Sequence, residues 1–353
     1  MSHLILAINP GSTSTKIGLF QDEEPIFVET IRHDREELAQ YPDLPSQTNF
    51  RLKFVLKALA EHGYQPQQLA TVVGIGGLLP AIETGGYKVN EKMKDWLTQG
   101  LGGVHASNLG GLLADLIAND AGCDAYIYDA VSAGILPEIA TITGFPEIKR
   151  RSLSHVLNSR AQSIQYAKQS GKNFTDLNII VAHLGGGISL SAYQKGKLAD
   201  SVGDDFGPFS PERAGAAPLM DFVDFCFDTG LQKADIKKRI RGNGGLAAHF
   251  GTTDMMKIED MAAHGNKEVE VVLAAMCYNI AKAIGALATV LNGEVDAIII
   301  TGGIANSKLI TQSISERVKF IAPVVIMPGE YELEALAAGG LRIISGQEVA
   351  SEL

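Results

Sequence analysis

The sequence predicts an α/β protein built from two similar halves, and three observations carry that prediction. Short apolar segments of strand character alternate with longer segments of helical spacing along the 353 residues. Glycine-bearing loops follow strands in both halves. A unit of strand, polar residue, glycine turn and strand opens the chain at residues 4–20 and returns at 178–192, about half the chain later.

In the first copy, Leu4-Ile5-Leu6-Ala7-Ile8 reads as a short buried strand. It runs into Asn9-Pro10-Gly11-Ser12-Thr13-Ser14-Thr15-Lys16, and Ile17, Leu19 and Phe20 resume an apolar run. Glycine lets backbone approach a ligand, hydroxyls can bond anionic oxygens, and a lysine closes the turn. A P-loop is excluded, because GxxxxGK[ST] is absent. A dinucleotide fingerprint needs a helix after the loop, whereas here more strand and the turn Gln21-Asp22-Glu23-Glu24 follow. A phosphate would therefore sit on a β-hairpin. Read alone, the stretch serves equally as a Ser/Thr-rich hairpin turn. Its partner, Asn178 to Ala182 entering His183-Leu184-Gly185-Gly186-Gly187-Ile188-Ser189, favours the phosphate cradle.

Composition sets the bounds. With 46% hydrophobic residues the chain can bury a large core and is long enough for two domains. A net charge of −10 and a pI near 5.3 leave no broad basic face for nucleic acid or an anionic membrane. Cys123, Cys226 and Cys277 are scattered and odd in number, which speaks against a disulfide framework or zinc site and for a reducing cytoplasm. Met1-Ser2-His3 provides no basic n-region for a signal peptide, and no stretch is expected to span a bilayer.

Further along, Pro25 to Ile31 reads as a strand, and Asn49 to His62 as a helix with Leu52, Val55, Leu56 and Leu59 on one face. Val72 to Pro80 is a strand entering Gly74-Ile75-Gly76-Gly77, either a pocket wall or a simple strand-ending turn. Gly102 to Asn108 leads into a helix from Leu109 to Ala118. Ala125 to Tyr128 is a strand ending at Asp129, placed as a magnesium-linked or basic carboxylate or as a helix cap. Gly144 to Arg151, with Pro146 and a basic cluster, is the expected domain boundary.

The second half offers helical character from Ser152 to Gln169, with His155 near its start. Asp204-Asp205-Phe206-Gly207 mimics a protein-kinase motif, but the activation loop, VAIK lysine and HRD loop that must accompany it are absent. Gly207 to Ala217 is a loop with Arg213 as its cation, and Pro218 to Phe227 is helix-like. Gly242-Asn243-Gly244-Gly245 leads to Gly251-Thr252-Thr253-Asp254, with Asp254 opening a helix. A long buried helix covers Glu268 to Leu291. The strand Val295 to Ile300 turns at Thr301-Gly302-Gly303 into a helix around Asn306 to Arg317, which is a common α/β connection and also suits a nucleotide's sugar and phosphate. Val324 to Met327 is a last strand, and Leu333 to Ile344 the closing helix.

Together these loops resemble the superfamily of acetate and sugar kinases, heat-shock chaperone ATPases and actin, and within it the acetate and butyrate carboxylate kinases. The resemblance rests on residues 8–16, His105-Ala106-Ser107-Asn108-Leu109-Gly110, Val181 to Ser189, Gly207-Pro208-Phe209-Ser210-Pro211-Glu212-Arg213, Gly242 to Leu246 and Thr301 to Gly303, in one order along the chain. It implies two duplicated ribonuclease-H-like, actin-like ATPase domains with a central cleft, one of residues 1–151 plus 333–353 and one of 152–332. It implies ATP- and Mg²⁺-dependent phosphorylation of a short-chain carboxylate, foremost butyrate, in a cytoplasmic homodimer or larger homo-oligomer. A non-catalytic nucleotide-binding protein of the same superfamily is the alternative.

By the same resemblance, Asn9, Ser12, Ser14 and Lys16 contact phosphate and metal-bound water, and Arg213, His183 and His155 surround the transferred group. Asp129 and Glu332, with Asn9, position the metal; Glu330 is a second choice for Glu332. Gly185, Gly186, Gly245, Thr252, Asp254, Gly302, Gly303 and Asn306 hold ATP. The chain departs from the family pattern at Ile75, where an arginine for the substrate carboxylate is usual, and at Ala130, Ser154 and Phe206, where Pro, Phe and an acidic residue are usual. Another cation, Lys88 or Lys16, would then have to meet the acid, or the acid is held less tightly.

Overall fold

The structure, a computed structural model, describes residues 2–203 and 206–353; Asp204 and Asp205 of the kinase-like tetrad lie outside the described residues. The chain divides into two compact units. Unit 1 holds Met1–Ile135, Val156–Asn158 and Tyr331–Leu353, and unit 2 holds Leu136–His155 and Ser159–Glu330. Gly144 to Arg151 thus lies within unit 2.

Unit 1 begins with a meander of β1 (Leu4–Pro10), β2 (Ser14–Gln21) and β3 (Glu24–Arg32), followed by α1 (Arg35–Leu38) and α2 (Thr48–Glu61). β4 (Thr71–Ile75), β5 (Gly86–Lys88), α3 (Glu91–Gln99), α4 (Asn108–Ala121) and β6 (Asp124–Tyr128) complete its first stretch. The sheet order is β3-β2-β1-β4-β6-β5, with β1, β4 and β6 parallel. The strands are apolar on both faces because both are covered. Leu6, Ile8, Ile17, Leu19 and Val72 pack with Val55, Leu59, Leu113 and Ile117 of α2 and α4. Their alternate neighbours Ile5, Ala7, Phe20, Val73 and Ile75 form the opposite layer.

Unit 2 contains α5 (Glu138–Thr141), most of α6 (Val156–Gln169), β7 (Asn178–Leu184), β8 (Ile188–Gln194), β9 (Lys197–Val202), α7 (Leu219–Asp228), α8 (Lys233–Ile240) and α9 (Leu246–Phe250). It continues through α10 (Met255–Ala263), α11 (Lys267–Val290), β10 (Ala297–Gly302), α12 (Lys308–Val318) and β11 (Val324–Pro328); α13 (Glu332–Ile344) then returns to unit 1, where Leu333, Leu336 and Ala337 close the layer around Ile75. The sheet order is β11-β10-β7-β8-β9, with β7 antiparallel to β8 and parallel to β10.

The two sheets repeat one plan: a three-stranded meander whose first strand pairs in parallel with later strands. Both meanders carry a register shift between second and third strands, at Leu19/Phe20 and at Ala192/Tyr193. Asn9 and His183 are each the next-to-last residue of the first strand, opposite Lys16 and Ser189 respectively. The half-chain repeat seen in the sequence is therefore a repeat of topology.

Several expectations need adjustment. α6 starts at Val156 and not Ser152, because His155 at ψ 62° is outside helical geometry. The short strands β5 and β9 carry too little pattern to be read from sequence. α11 has 24 residues and is long and apolar enough to cross a membrane by length and composition, against the expectation that no stretch would be. Its Leu273, Met276, Ile280, Ile284 and Leu287 build the core of unit 2 beneath β7 and β8, a use that demands the same hydropathy.

Candidate active site

In unit 1 the parallel register aligns strand ends. Ile8 lies beside Gly74 and Gly74 beside Ile127, so Asn9, Ile75 and Asp129 end at one edge of the sheet. The carboxyl edge is where open α/β sheets hold ligands. The Asn9 side-chain amide donates to the Glu332 carboxylate at the start of α13, bringing together two of the residues expected near a metal. Between them and Lys16 the loop is drawn tight by Gly11 N–H donating to Ser14 O at 2.8 Å. Ser12 is exposed and Ser14 half-buried, so their hydroxyls lie at or near the surface.

Asp129 is buried and adopts φ +41°, an uncommon conformation for a residue with a side chain. Its Oδ1 accepts from Gly85 N–H at 2.8 Å and its own N–H donates to Gly85 O at 3.0 Å. The helix-cap alternative is corrected, since the next helix starts only at Glu138. A held carboxylate with a strained backbone at a strand end points to function.

Ile75 is in the apolar layer with Leu333 and Leu336, 7% exposed. A charged side chain in that layer would be buried without compensation. Of the two replacement cations, Lys88 is ruled out: its ammonium is 2.7 Å from Asp124 at the amino end of β6. Lys16, opposite Asn9, is at the correct edge. Asn108 of the His105–Gly110 motif is a clamp, its side chain bonding Leu78 N–H at 2.9 Å and Gly103 O at 2.9 Å.

In unit 2, β7 delivers His183 to a buried position where its ring stacks on His155, with centroids 3.9 Å apart and planes 11° apart. His155 is fixed by Ser189, whose Oγ lies 2.8 Å from Nδ1 and accepts the His155 backbone N–H at 3.1 Å. Burial, then the neighbouring His155, holds the His183 pKa well below the usual range. His183 is therefore neutral at pH 7, and a neutral imidazole carries one N–H donor.

Arg213 joins this cluster through a folded loop. Ser210 Oγ donates to Gly186 O at 2.7 Å, Glu212 N–H donates to the same oxygen at 3.0 Å, and Arg213 N–H donates to Ser210 Oγ at 3.1 Å. A Cβ built on Gly187 would be 3.7 Å from both Arg213 Nε and His155 Cε1. The glycine turn thus runs between the cation and the histidines. Arg213 also lies 3.6 Å from Glu212, and on a partly exposed pair this contact is weak. Glu330 is near the same turn: a Cβ on Gly185 would be 3.7 Å from its Oε1 and 3.2 Å from His183 Nε2.

The nucleotide loops divide by role. Gly245, at φ +58°, sits so close under Ser210 O that a Cβ would come within 1.7 Å, and Gly302, at φ +89°, is pressed onto Leu184 O. Both are backbone-packing glycines. Gly303, by contrast, has nothing within 4 Å of where a Cβ would stand, and Asn306 donates from its side chain to Gly303 O at 3.0 Å beside it. Asp254 caps α10 by accepting from Met256 and Lys257 N–H, and Thr252 Oγ1 accepts from Asp254 N–H. Between α10, α11 and α12 lies a cavity of about 750 Å³ lined by Met256, Glu259, Leu273, Cys277, Leu309 and Ser313 among others. Residues of this cavity were not foreseen, because they meet only through helix packing.

The chain is 46% identical to butyrate kinase 2 of Clostridium acetobutylicum, over 100% of this chain and 99% of that protein. It is 45% identical to butyrate kinase 1 of the same organism over 99% of both. The chain belongs to the acetokinase family. The family model, described as "Acetokinase family", matches residues 152–327. The acetate kinase structure of Porphyromonas gingivalis superposes with a TM-score of 0.80 over 97% of this chain and 100% of that one, at 18% identity, which establishes the two-domain actin-like ATPase fold. As an acetokinase-family member the chain is a carboxylate kinase, a phosphotransferase.

Among the described residues no three His, Cys, Asp or Glu side chains cluster as a metal centre. Mg²⁺ commonly takes one or two carboxylates, water and substrate phosphates in place of a protein cage. The joined Asn9 and Glu332 and the held Asp129 offer oxygen donors of the right kind.

Proposed function

We propose that the protein reversibly transfers the γ-phosphoryl group of ATP to a short-chain carboxylate, with butyrate the foremost acceptor, giving the acyl phosphate by direct in-line displacement. The single observation that carries this reading is the Gly187 turn running between buried, neutral His183 with its partner His155 and the Arg213 guanidinium. The acid is already ionised at neutral pH, so no general base is needed. What the reaction requires is alignment of two anions and stabilisation of charge on the equatorial oxygens.

Arg213 supplies the positive charge there, and neutral His183, stacked on His155, supplies a hydrogen bond without adding charge of its own. Asn9, Ser12, Ser14 and Lys16 orient phosphate oxygens from unit 1. Asp129, Glu332 and Asn9 would hold Mg²⁺, which when bound neutralises charge between the β- and γ-phosphates. In unit 2, Gly185 and Gly186 face phosphate, Thr252, Asp254, Gly303 and Asn306 face the nucleotide, and Gly245 and Gly302 hold its loops in place. The 750 Å³ cavity beside α10 and α12 has the size and apolar lining for the base. Three unpaired cysteines suit a cytoplasmic location.

Acetate, propionate and branched acids are alternative acceptors, and Ile75 favours weaker activity. Purified protein given ATP, Mg²⁺, hydroxylamine and one acid from C2 to C6 should form a hydroxamate, most with butyrate. The Arg213→Ala variant should lose at least about a hundredfold in kcat while binding ATP nearly as before. ATP binding without hydroxamate from any acid would instead establish the non-catalytic reading.

A further inference from the structure

Arg51 is 0% exposed on the buried face of α2, a position the helical period would give to an apolar side chain. Its guanidinium reaches into the Asn9–Lys16 loop. Nη1 donates to Gly11 O at 2.8 Å and Ser14 O at 2.9 Å and lies 3.3 Å from Thr15 Oγ1; Nη2 donates to Ser12 O at 3.0 Å. Gln47 Oε1 takes Nη2 at 3.0 Å and Nε at 3.3 Å, fixing the fork. The remaining carbonyl of the loop, Thr13 O, accepts from His33 N–H at 2.9 Å.

Four successive carbonyls, from Gly11 to Ser14, are thus taken up on the inner side. A trans peptide sets each N–H opposite the preceding C=O. The Ser12 and Thr13 amides therefore point away from Arg51, and neither meets a backbone acceptor among the described residues. Outward-facing successive amides over a buried cation form an anion-binding concavity.

The charge is equally unusual. Every bonding partner of Arg51 among the described residues is neutral. Burial lowers the guanidinium pKa only to about 10, so it remains cationic at neutral pH, and His33 beside it is held neutral. A buried cation without a counter-ion is unfavourable until an anion arrives nearby.

We propose that Arg51 is the positioning residue of the Asn9–Lys16 loop, turning its carbonyls inward so that the Ser12 and Thr13 amides receive phosphate oxygens, with its own charge behind that anion. The proposal rests on the reading of this loop as a phosphate cradle. It assigns to α2 a role in anion binding that no motif in the sequence announces.

The test compares Arg51→Gln, Arg51→Lys, Gln47→Leu and Lys16→Met with the unaltered full chain. It measures kcat/KM for ATP in the hydroxamate assay, and Kd for ATP and for adenosine, which lacks phosphate. Arg51→Gln should lose at least about tenfold in kcat/KM with adenosine affinity unchanged. Arg51→Lys, keeping charge without the fork, should recover part of the loss, and Gln47→Leu should show a smaller loss of the same kind. A folded Arg51→Gln with unaltered kcat/KM, beside an impaired Lys16→Met, overturns the role of Arg51 alone. Unaltered kinetics in both overturn the phosphate-cradle reading itself. If Arg51→Gln does not fold, Gln47→Leu decides, and normal kinetics there refute the proposal.

Discussion

His33 and Arg51 share one hydroxyl, Thr15 Oγ1, which lies 2.8 Å from His33 Nε2 and 3.3 Å from Arg51 Nη1. Packed against Phe50 and Phe54, His33 has its pKa lowered from 6.5 to about 4, chiefly by burial and then by Arg51. The sign follows from linkage. Between those two values the unfolded chain binds a proton that the folded chain does not, so stability falls as pH drops through this window. Urea unfolding should show about 2 kcal/mol lost between about pH 7 and about pH 5 from this group, and His33→Asn should remove that part of the loss. Equal pH dependence in the two proteins would contradict the assignment. At this scale the sequence marked Asn9, His183 and Arg213 through their motifs. It passed over Arg51, although a charged residue on the face of Val55 and Leu59 was the available signal.

Loops and strands explain which glycines serve the ligand and which serve the fold. The family resemblance grouped Gly245, Gly302 and Gly303 as nucleotide contacts. Close packing separates them: a Cβ at Gly245 would meet Ser210 O at 1.7 Å and Arg213 O at 2.5 Å, while Gly303 opens to free space. Gly245→Ala should therefore displace the Ser210–Arg213 loop. The expected result is at least a tenfold drop in kcat and a stability loss of about 2 kcal/mol or more, read by the hydroxamate assay and denaturant unfolding. Gly303→Ala should keep full stability by the same unfolding measurement. A Gly245→Ala protein with normal turnover would show that Arg213 does not depend on this support.

At the scale of the whole molecule, α7 is poorly covered among the described residues. α7 exposes Leu219, Met220, Val223 and Phe227, the last at 83%, and carries Asp221, Asp224 and Asp228. α8, which follows it, carries Lys233, Lys237, Lys238 and Arg239. An acidic, apolar helix next to a basic one is self-complementary, as a two-fold interface between copies requires. We propose that a second copy covers α7. Light scattering should give at least a dimer, and Met220→Lys with Phe227→Lys should reduce its size; an unaltered mass in the double variant would place the interface elsewhere.

The sequence by itself determined the class of fold, the duplication and the order of the loops. Strand runs, glycine turns and their half-chain repeat are local patterns, fixed by backbone geometry and the burial of both sheet faces. Tertiary structure decided what the loops face. Only the sheet register brings Asn9, Ile75 and Asp129 to one edge and sends Lys88 to the other, and only the packing of the residue before α6 against Ser189 of β8 stacks His155 on His183. Only helix packing places Arg51 behind Gly11–Ser14 and opens the cavity beside α10. These contacts join residues far apart in the chain, where spacing carries no information about distance.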